Sequence, residues 1–205
     1  MNLITDTTFR GTTLAQRAKV LAAEKPLKTA ILFDSGVSVS YDEAWQQGRA
    51  LANALRELKV KPGATLSFQL PNIPESIAVA IAASICGLII NPIVPIYRGK
   101  ELGFILSDAK TEVLFVPHRF RGFDFTEMVN ELRPSLPNLR HIICCGAENT
   151  LCEGFSCFEE LLAGHDEQHC QLANVDPNDT KIVLYTSGTT GNPKAVRHSH
   201  NSLAK

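Results

Sequence analysis

The sequence lacks a surplus of charge of either sign. Twenty basic residues stand against 21 acidic ones and the pI is near 6.6. No broad basic field follows from that balance, so nucleic acid and anionic membrane are poor partners for the chain. A long apolar run is also missing. The most apolar stretch, Ile77 to Ile90, is 14 residues long and includes Ser84 and Gly87. A membrane span needs about 18 apolar residues or more, so this run reads as a buried helix and no transmembrane segment is expected. Met1-Asn2-Leu3-Ile4-Thr5-Asp6 has no basic start ahead of an apolar run, which argues against a secretory leader. The expectation is a soluble, cytoplasmic protein. There is no internal repeat and no low-complexity tract.

Six cysteines are present. With no leader they are expected as reduced thiols, Cys86 as a small apolar core residue. Cys152, Cys157, His165, His169 and Cys170 lie close in sequence, and zinc would use such residues. The segment lacks the glycines of a zinc knuckle, so a loop with incidental thiols is the preferred reading.

The densest chemistry is Tyr185-Thr186-Ser187-Gly188-Thr189-Thr190-Gly191-Asn192-Pro193-Lys194, after the apolar run Ile182-Val183-Leu184-Tyr185. Gly188 and Gly191 permit positive φ and close backbone approach to a ligand. Successive N–H groups in such a turn form an anion-binding concavity. Thr186, Ser187, Thr189 and Thr190 add hydroxyl donors, and Lys194 adds a point charge suited to phosphate. The pattern is not the common P-loop, in which Gly-Lys is followed by Ser or Thr. Here Pro193 precedes the lysine and Ala195 follows it. The plain structural reading is a polar hairpin loop between two strands.

Before this stretch, capping, breaker and periodicity signals alternate. Thr12 or Thr13 caps a helix from Leu14 to about Glu24, and Ser40 with Glu43 forms a capping box ahead of a second helix. Thr29 to Phe33 and Val37 to Ser40 read as a hairpin. Thr65 to Leu70, Leu88 to Ile90, Val113 to Val116, His141 to Cys144 and Lys181 to Tyr185 read as strands, with helices between them. Gly146 to Asn178 reads as irregular apart from a short helix near Phe158 to Leu162. Alternation at this spacing predicts an α/β fold with helices layered on a mostly parallel sheet. Trp45 reads as helix-face packing, His198 as a surface or strand residue, and His200 as a hydrogen-bonded structural histidine rather than a catalytic one.

The ten-residue stretch resembles the first core motif of the acyl-adenylate-forming (AMP-dependent synthetase and ligase) superfamily. His200-Asn201-Ser202-Leu203 resembles the His-x-Asn-Leu that follows it, although the family usually has Gly where Ala195 stands. Upstream, Val60-Lys61-Pro62-Gly63 and Leu70-Pro71-Asn72-Ile73-Pro74-Glu75 are similar to family patterns in the same order. The resemblance implies the N-terminal part of the large domain of such an enzyme. Residues 1–205 are expected to be an incomplete N-terminal portion of the AMP-binding domain, without the C-terminal domain and with little or no turnover alone. It further implies Lys194 as the catalytic cation, with Ser187, Gly188, Thr189, Thr190, Gly191 and Lys194 on the β- and γ-phosphates of ATP. Thr186 is implied near Mg²⁺. Coenzyme A and a small carboxylic acid are the implied co-substrates of the acyl-CoA synthetase branch. An adenylation unit serving a carrier protein, or a truncated product acting without catalysis, are the other readings.

Overall fold

The computed structural model describes residues 11–146, 153–163, 165, 170–186 and 193–203. The chain opens with α1 (Leu14–Glu24), the two-stranded hairpin β1 (Thr29–Leu32) and β2 (Ser38–Ser40), and α2 (Tyr41–Glu57). Both helices begin with reciprocal capping boxes, Thr13 with Gln16 and Ser40 with Glu43, which satisfy otherwise orphaned N–H groups. There follow β3 (Thr65–Phe68), α3 (Pro74–Ile85), β4 (Ile89–Pro92), α4 (Gly99–Asp108) and β5 (Thr111–Pro117). A short ribbon of β6 (Arg119–Phe120) and β7 (Phe123–Asp124) leads to α5 (Phe125–Leu132). The described chain ends through β8 (His141–Cys145), β9 (Phe155–Cys157), α6 (Phe158–Ala163), β10 (Thr180–Thr186), β11 (Lys194–Ser199) and α7 (His200–Leu203).

Among the described residues, seven strands form one sheet in the order β11-β10-β4-β3-β5-β8-β9. Every neighbour pair is parallel except β10 with β11. A parallel sheet must be covered on both faces, and β5 shows how its residues divide. Val113 and Phe115 join a core with Leu51 and Leu55 of α2, Val79 and Ile85 of α3 and Phe158 of α6. Leu114 and Val116 join a second core with Leu102 and Ile105 of α4 and Phe125 and Val129 of α5. Trp45 is buried in the first core, as helix-face packing requires. The expected α/β fold with a mostly parallel sheet is borne out.

The structure adds three strands to the elements expected from sequence. Two belong to the β6–β7 ribbon, which turns through Arg121 and Gly122, both at positive φ. The third is β9, whose three residues pair with Ile142, Ile143 and Cys144 inside the segment expected to be irregular. A three-residue strand is too short to declare a period.

α2 packs against α3, with Gly48 facing Ile81. A Cβ at Gly48 would fall inside the Ile81 side chain. Gly48→Ala should therefore destabilise by about 1–3 kcal/mol despite the better helix propensity of alanine, and chemical denaturation measures it. Adding Ile81→Ala should relieve that overlap, so the double variant should lose less than the sum of the single changes.

Candidate active site

The polar stretch is built into the sheet as the hairpin β10–β11. β10 runs parallel to β4, with Ile182 beside Ile90, so the hairpin turns at the carboxyl edge of the parallel strands. Open α/β sheets bind ligands at that edge where the strand order reverses. Here the reversal lies at β3: β4 pairs on one side of it, and β5, β8 and β9 extend on the other.

The strands of the hairpin are in register from Ile182–His198 to Thr186–Lys194. Thr186 and Lys194 therefore face each other across the mouth, both exposed, and the Thr186 hydroxyl donates to the Lys194 carbonyl at 3.5 Å. Ser187, Gly188, Thr189, Thr190 and Gly191 lie outside the described residues. Ala195, where the family pattern has glycine, pairs with Tyr185 in the strand. It is not among the residues at positive φ, so alanine is unstrained there.

A second rim stands beside the hairpin. The chain leaving β4 (93–98) is held from within by Gln69, whose Nε2 donates to the Val94 carbonyl at 3.1 Å and the Tyr97 carbonyl at 3.0 Å. Arg98 holds it from outside, donating to the Pro95 and Tyr97 carbonyls while its guanidinium lies 4.1 Å over the Phe123 ring. Ile96 and Val94 remain exposed on this rim. Gln69 carries no local motif and was not legible as a site residue. Beneath the rim, the Ser67 and Thr111 hydroxyls bond at 2.7 Å and Asn91 Nδ2 donates to Ser67 Oγ at 2.9 Å.

At the opposite end of β10, Lys181 is 2 % exposed and its ammonium donates to the Leu88 carbonyl at 3.3 Å. Burial lowers its pKa from the usual 10.5 to about 7, with Cys86 raising it in part. His200 is buried beside it, and its Nδ1 accepts the Leu14 N–H at 3.2 Å, the structural role expected for it. Burial, then Lys181, lowers its pKa from 6.5 to about 4. His198 lies in β11. Cys86 is buried in the core, and burial pushes its thiol up to about 11. Cys152 and His169 of the cysteine–histidine cluster lie outside the described residues. Among the described residues no group of three His, Cys, Asp or Glu is placed to hold a metal ion. No helix described is long and apolar enough to cross a membrane.

Residues 18–205 match the AMP-binding enzyme family. The chain belongs to that family. It is 28% identical over 204 residues to a 2-hydroxy-7-methoxy-5-methyl-1-naphthoate–CoA ligase of Streptomyces carzinostaticus, covering 95% of this chain and 35% of that protein. It is 30% identical over 199 residues to a crotonobetaine/carnitine–CoA ligase of Salmonella enteritidis, covering 94% and 37%. Among solved structures, acetoacetyl-CoA synthetase from Streptomyces lividans superposes with a TM-score of 0.83 at 30% identity, covering 93% of this chain and 31% of that one. The chain thus spans about a third of the length of these relatives. The resemblance to the adenylate-forming superfamily is borne out by these matches.

A lysine whose folded pKa is depressed lowers stability wherever the unfolded chain would hold the proton. For Lys181 that penalty is full below about pH 7 and is relieved as pH rises toward 10.5. Lys181→Met should raise the melting temperature at pH 6 to 7 by removing a cost on the order of a few kcal/mol. It should also flatten the rise of stability between pH 7 and 10.5, which thermal melts across that range would reveal.

Proposed function

We propose that this chain is the N-terminal portion of the AMP-binding domain of a carboxylate–CoA ligase that activates its acid with ATP. A carboxylate is a poor acyl donor because oxide is a poor leaving group. In the first half-reaction a carboxylate oxygen attacks the α-phosphorus of ATP, the bond to the β-phosphate breaks, and pyrophosphate leaves. In the second the sulfur of coenzyme A attacks the acyl carbon and AMP departs. Fixed donors and cations lower the barrier where charge builds on the departing pyrophosphate.

What supports this most is the pairing of Thr186 with Lys194 at the carboxyl edge of the sheet. Directly opposed residues point their side chains to one side of a hairpin, so a hydroxyl and an ammonium converge there. On this reading Lys194 is the catalytic cation at the β- and γ-phosphates, with Ser187 to Gly191 completing the cradle. One neutral hydroxyl is not a Mg²⁺ site, since that ion takes oxygen ligands in an octahedron. Mg²⁺ accordingly arrives as MgATP, with Thr186 as one neighbour of the complex. The CoA ligases and CoA synthetase among the relatives favour coenzyme A as the acceptor over a carrier protein.

ATP–pyrophosphate exchange with a panel of carboxylic acids tests the reading in the protein that carries this chain. Exchange should require one class of acid, and Lys194→Ala should reduce it by about 10²- to 10³-fold, the usual loss on removing a preorganised charge-stabilising group. Formation of a CoA thioester then selects coenzyme A as acceptor. Absence of exchange with every acid, or full exchange by Lys194→Ala, would overturn the assignment.

A further inference from the structure

The upper part of the hairpin reaches beyond the sheet that supports it. β10 and β11 are in register as far as Thr186–Lys194, yet the register between β10 and β4 consists of the single pair Ile182–Ile90. On the other side, residues 194–197 of β11 are exposed. A two-stranded ribbon is marginal by itself, and low local contact permits local opening. Something else must hold its mouth in place.

Among the described residues, one side-chain hydrogen bond ties this upper hairpin to the rest of the fold. The Tyr185 hydroxyl donates to Asp108 Oδ2 at 2.6 Å, across 77 positions of sequence. The distance is that of a hydroxyl on a carboxylate, a short charge-assisted bond. Burial, then this acceptor, raises the Tyr185 pKa well above the usual phenol range, so the hydroxyl keeps its proton. The ring packs against the core that α4 and α5 form on the sheet.

Two features set Asp108 apart from an ordinary surface acid. It is the last residue of α4, and no basic residue shares that turn. A helix C-terminus carries partial negative charge, so a carboxylate there is unfavourable for the helix itself. A residue that breaks a local rule without local gain points to a role elsewhere. Alternation along β10 supplies the second feature. Tyr185 projects to the face opposite Thr186, so the bond grips the hairpin from behind and leaves the Thr186–Lys194 side free.

We propose that Asp108 is a positioning residue which, through the Tyr185 hydroxyl, fixes the hairpin mouth so that Thr186 and Lys194 meet the polyphosphate of MgATP in one orientation. The inference rests on the nucleotide reading above for its ligand, but the tether itself is measurable without nucleotide.

The test compares wild type with Tyr185→Phe, Asp108→Ala, Asp108→Asn and the Tyr185→Phe/Asp108→Ala pair, in the protein that carries this chain. Amide hydrogen exchange over residues 183–196 should accelerate in Tyr185→Phe and Asp108→Ala, with exchange in β3, β5 and β8 unchanged. Asp108→Asn keeps an acceptor oxygen and should restore protection. MgATP affinity by calorimetry should fall about threefold to tenfold in both single variants, and the double variant should lose no more, because one bond is removed in each. Unchanged exchange at 183–196, acceleration spread evenly over the whole sheet, or independent losses that add in the double variant would each overturn the proposal. Accelerated hairpin exchange in a protein whose wild type does not bind MgATP would uphold the tether and overturn the nucleotide reading instead.

Discussion

A parallel strand joins a sheet only through a long crossover, and the candidate site depends on one such addition. β10 docks beside β4 after α4, β5, α5, β8 and β9 have all been laid down between them in sequence. That delay is why the groups around the hairpin come from distant parts of the chain. The rim after β4 lies next to it because β4 is its neighbour in the sheet. Asp108 reaches it because α4 covers the same face on which the Tyr185 ring packs. The foot of the strand carries an opposite demand. Position 181 is buried near Cys86 and Leu88 of the large core, yet it is a lysine with a carbonyl for its hydrogen-bond partner. The strand that presents the site is thus held by packing and burdened by a buried amine.

The interior of the sheet is divided by chemistry as well as by face. Leu66 and Phe68 of β3 serve the large core, whereas Ser67 and the following Gln69 point to the other side. Those two polar residues are fully buried and do different things. Ser67 is shared between Thr111 and Asn91, which joins three adjacent strands by side chains in addition to their backbone ladders. Gln69 extends past the strand end and grips two carbonyls of the 93–98 rim. Arg98 stacked over Phe123 closes the same rim from outside, so its backbone is held on two sides while Ile96 and Val94 stay exposed. The amide nitrogens of Gln69 and Asn91 are bonded while their carbonyl oxygens, Oε1 and Oδ1, are buried without a partner among the described residues, and the bonds that are made shape the edge beside the hairpin.

Much of this architecture is legible from sequence because local signals agree with the fold. Ser40 with Glu43 marks a helix start that the structure reproduces to the residue, and of the two caps open for the first helix, Thr12 and Thr13, the structure uses Thr13. The apolar run from Ile77 divides into α3 and β4 at Gly87, which sits at positive φ against Ala173 and Val175. The hairpin stems were legible through the apolar run before the loop and the lysine after it. Asp108 and Gln69 were not. Their roles come from partners 77 residues away for Asp108 and 25 and 28 residues away for Gln69, spacings that no helix or strand period encodes. β9 was hidden for a related reason: its strand character comes from lying beside β8, not from its own three residues. Lys181 stands beside the apolar run Ile182-Val183-Leu184, and nothing local says that its amine is buried with a carbonyl for its partner.

The way the chain leaves the loop decides what kind of anion site it can be. A glycine-rich loop that runs into a helix gains the partial positive charge of the helix N-terminus. Here Lys194 opens a strand, β11, so the chain leaves the loop into a strand and not into a helix. The lysine side chain carries positive charge there, and its direction is set by strand pairing. Thr186 opposite Lys194 puts both side chains on one face. A slip of one residue in that register would turn Lys194 to the other face, where Tyr185 is held by Asp108. Register is therefore the variable that converts this stretch from a polar hairpin into an oriented cationic site. Under the proposed phosphate reading, the pairing of 186 with 194 is what would set a hydroxyl and an ammonium on the same side of the hairpin.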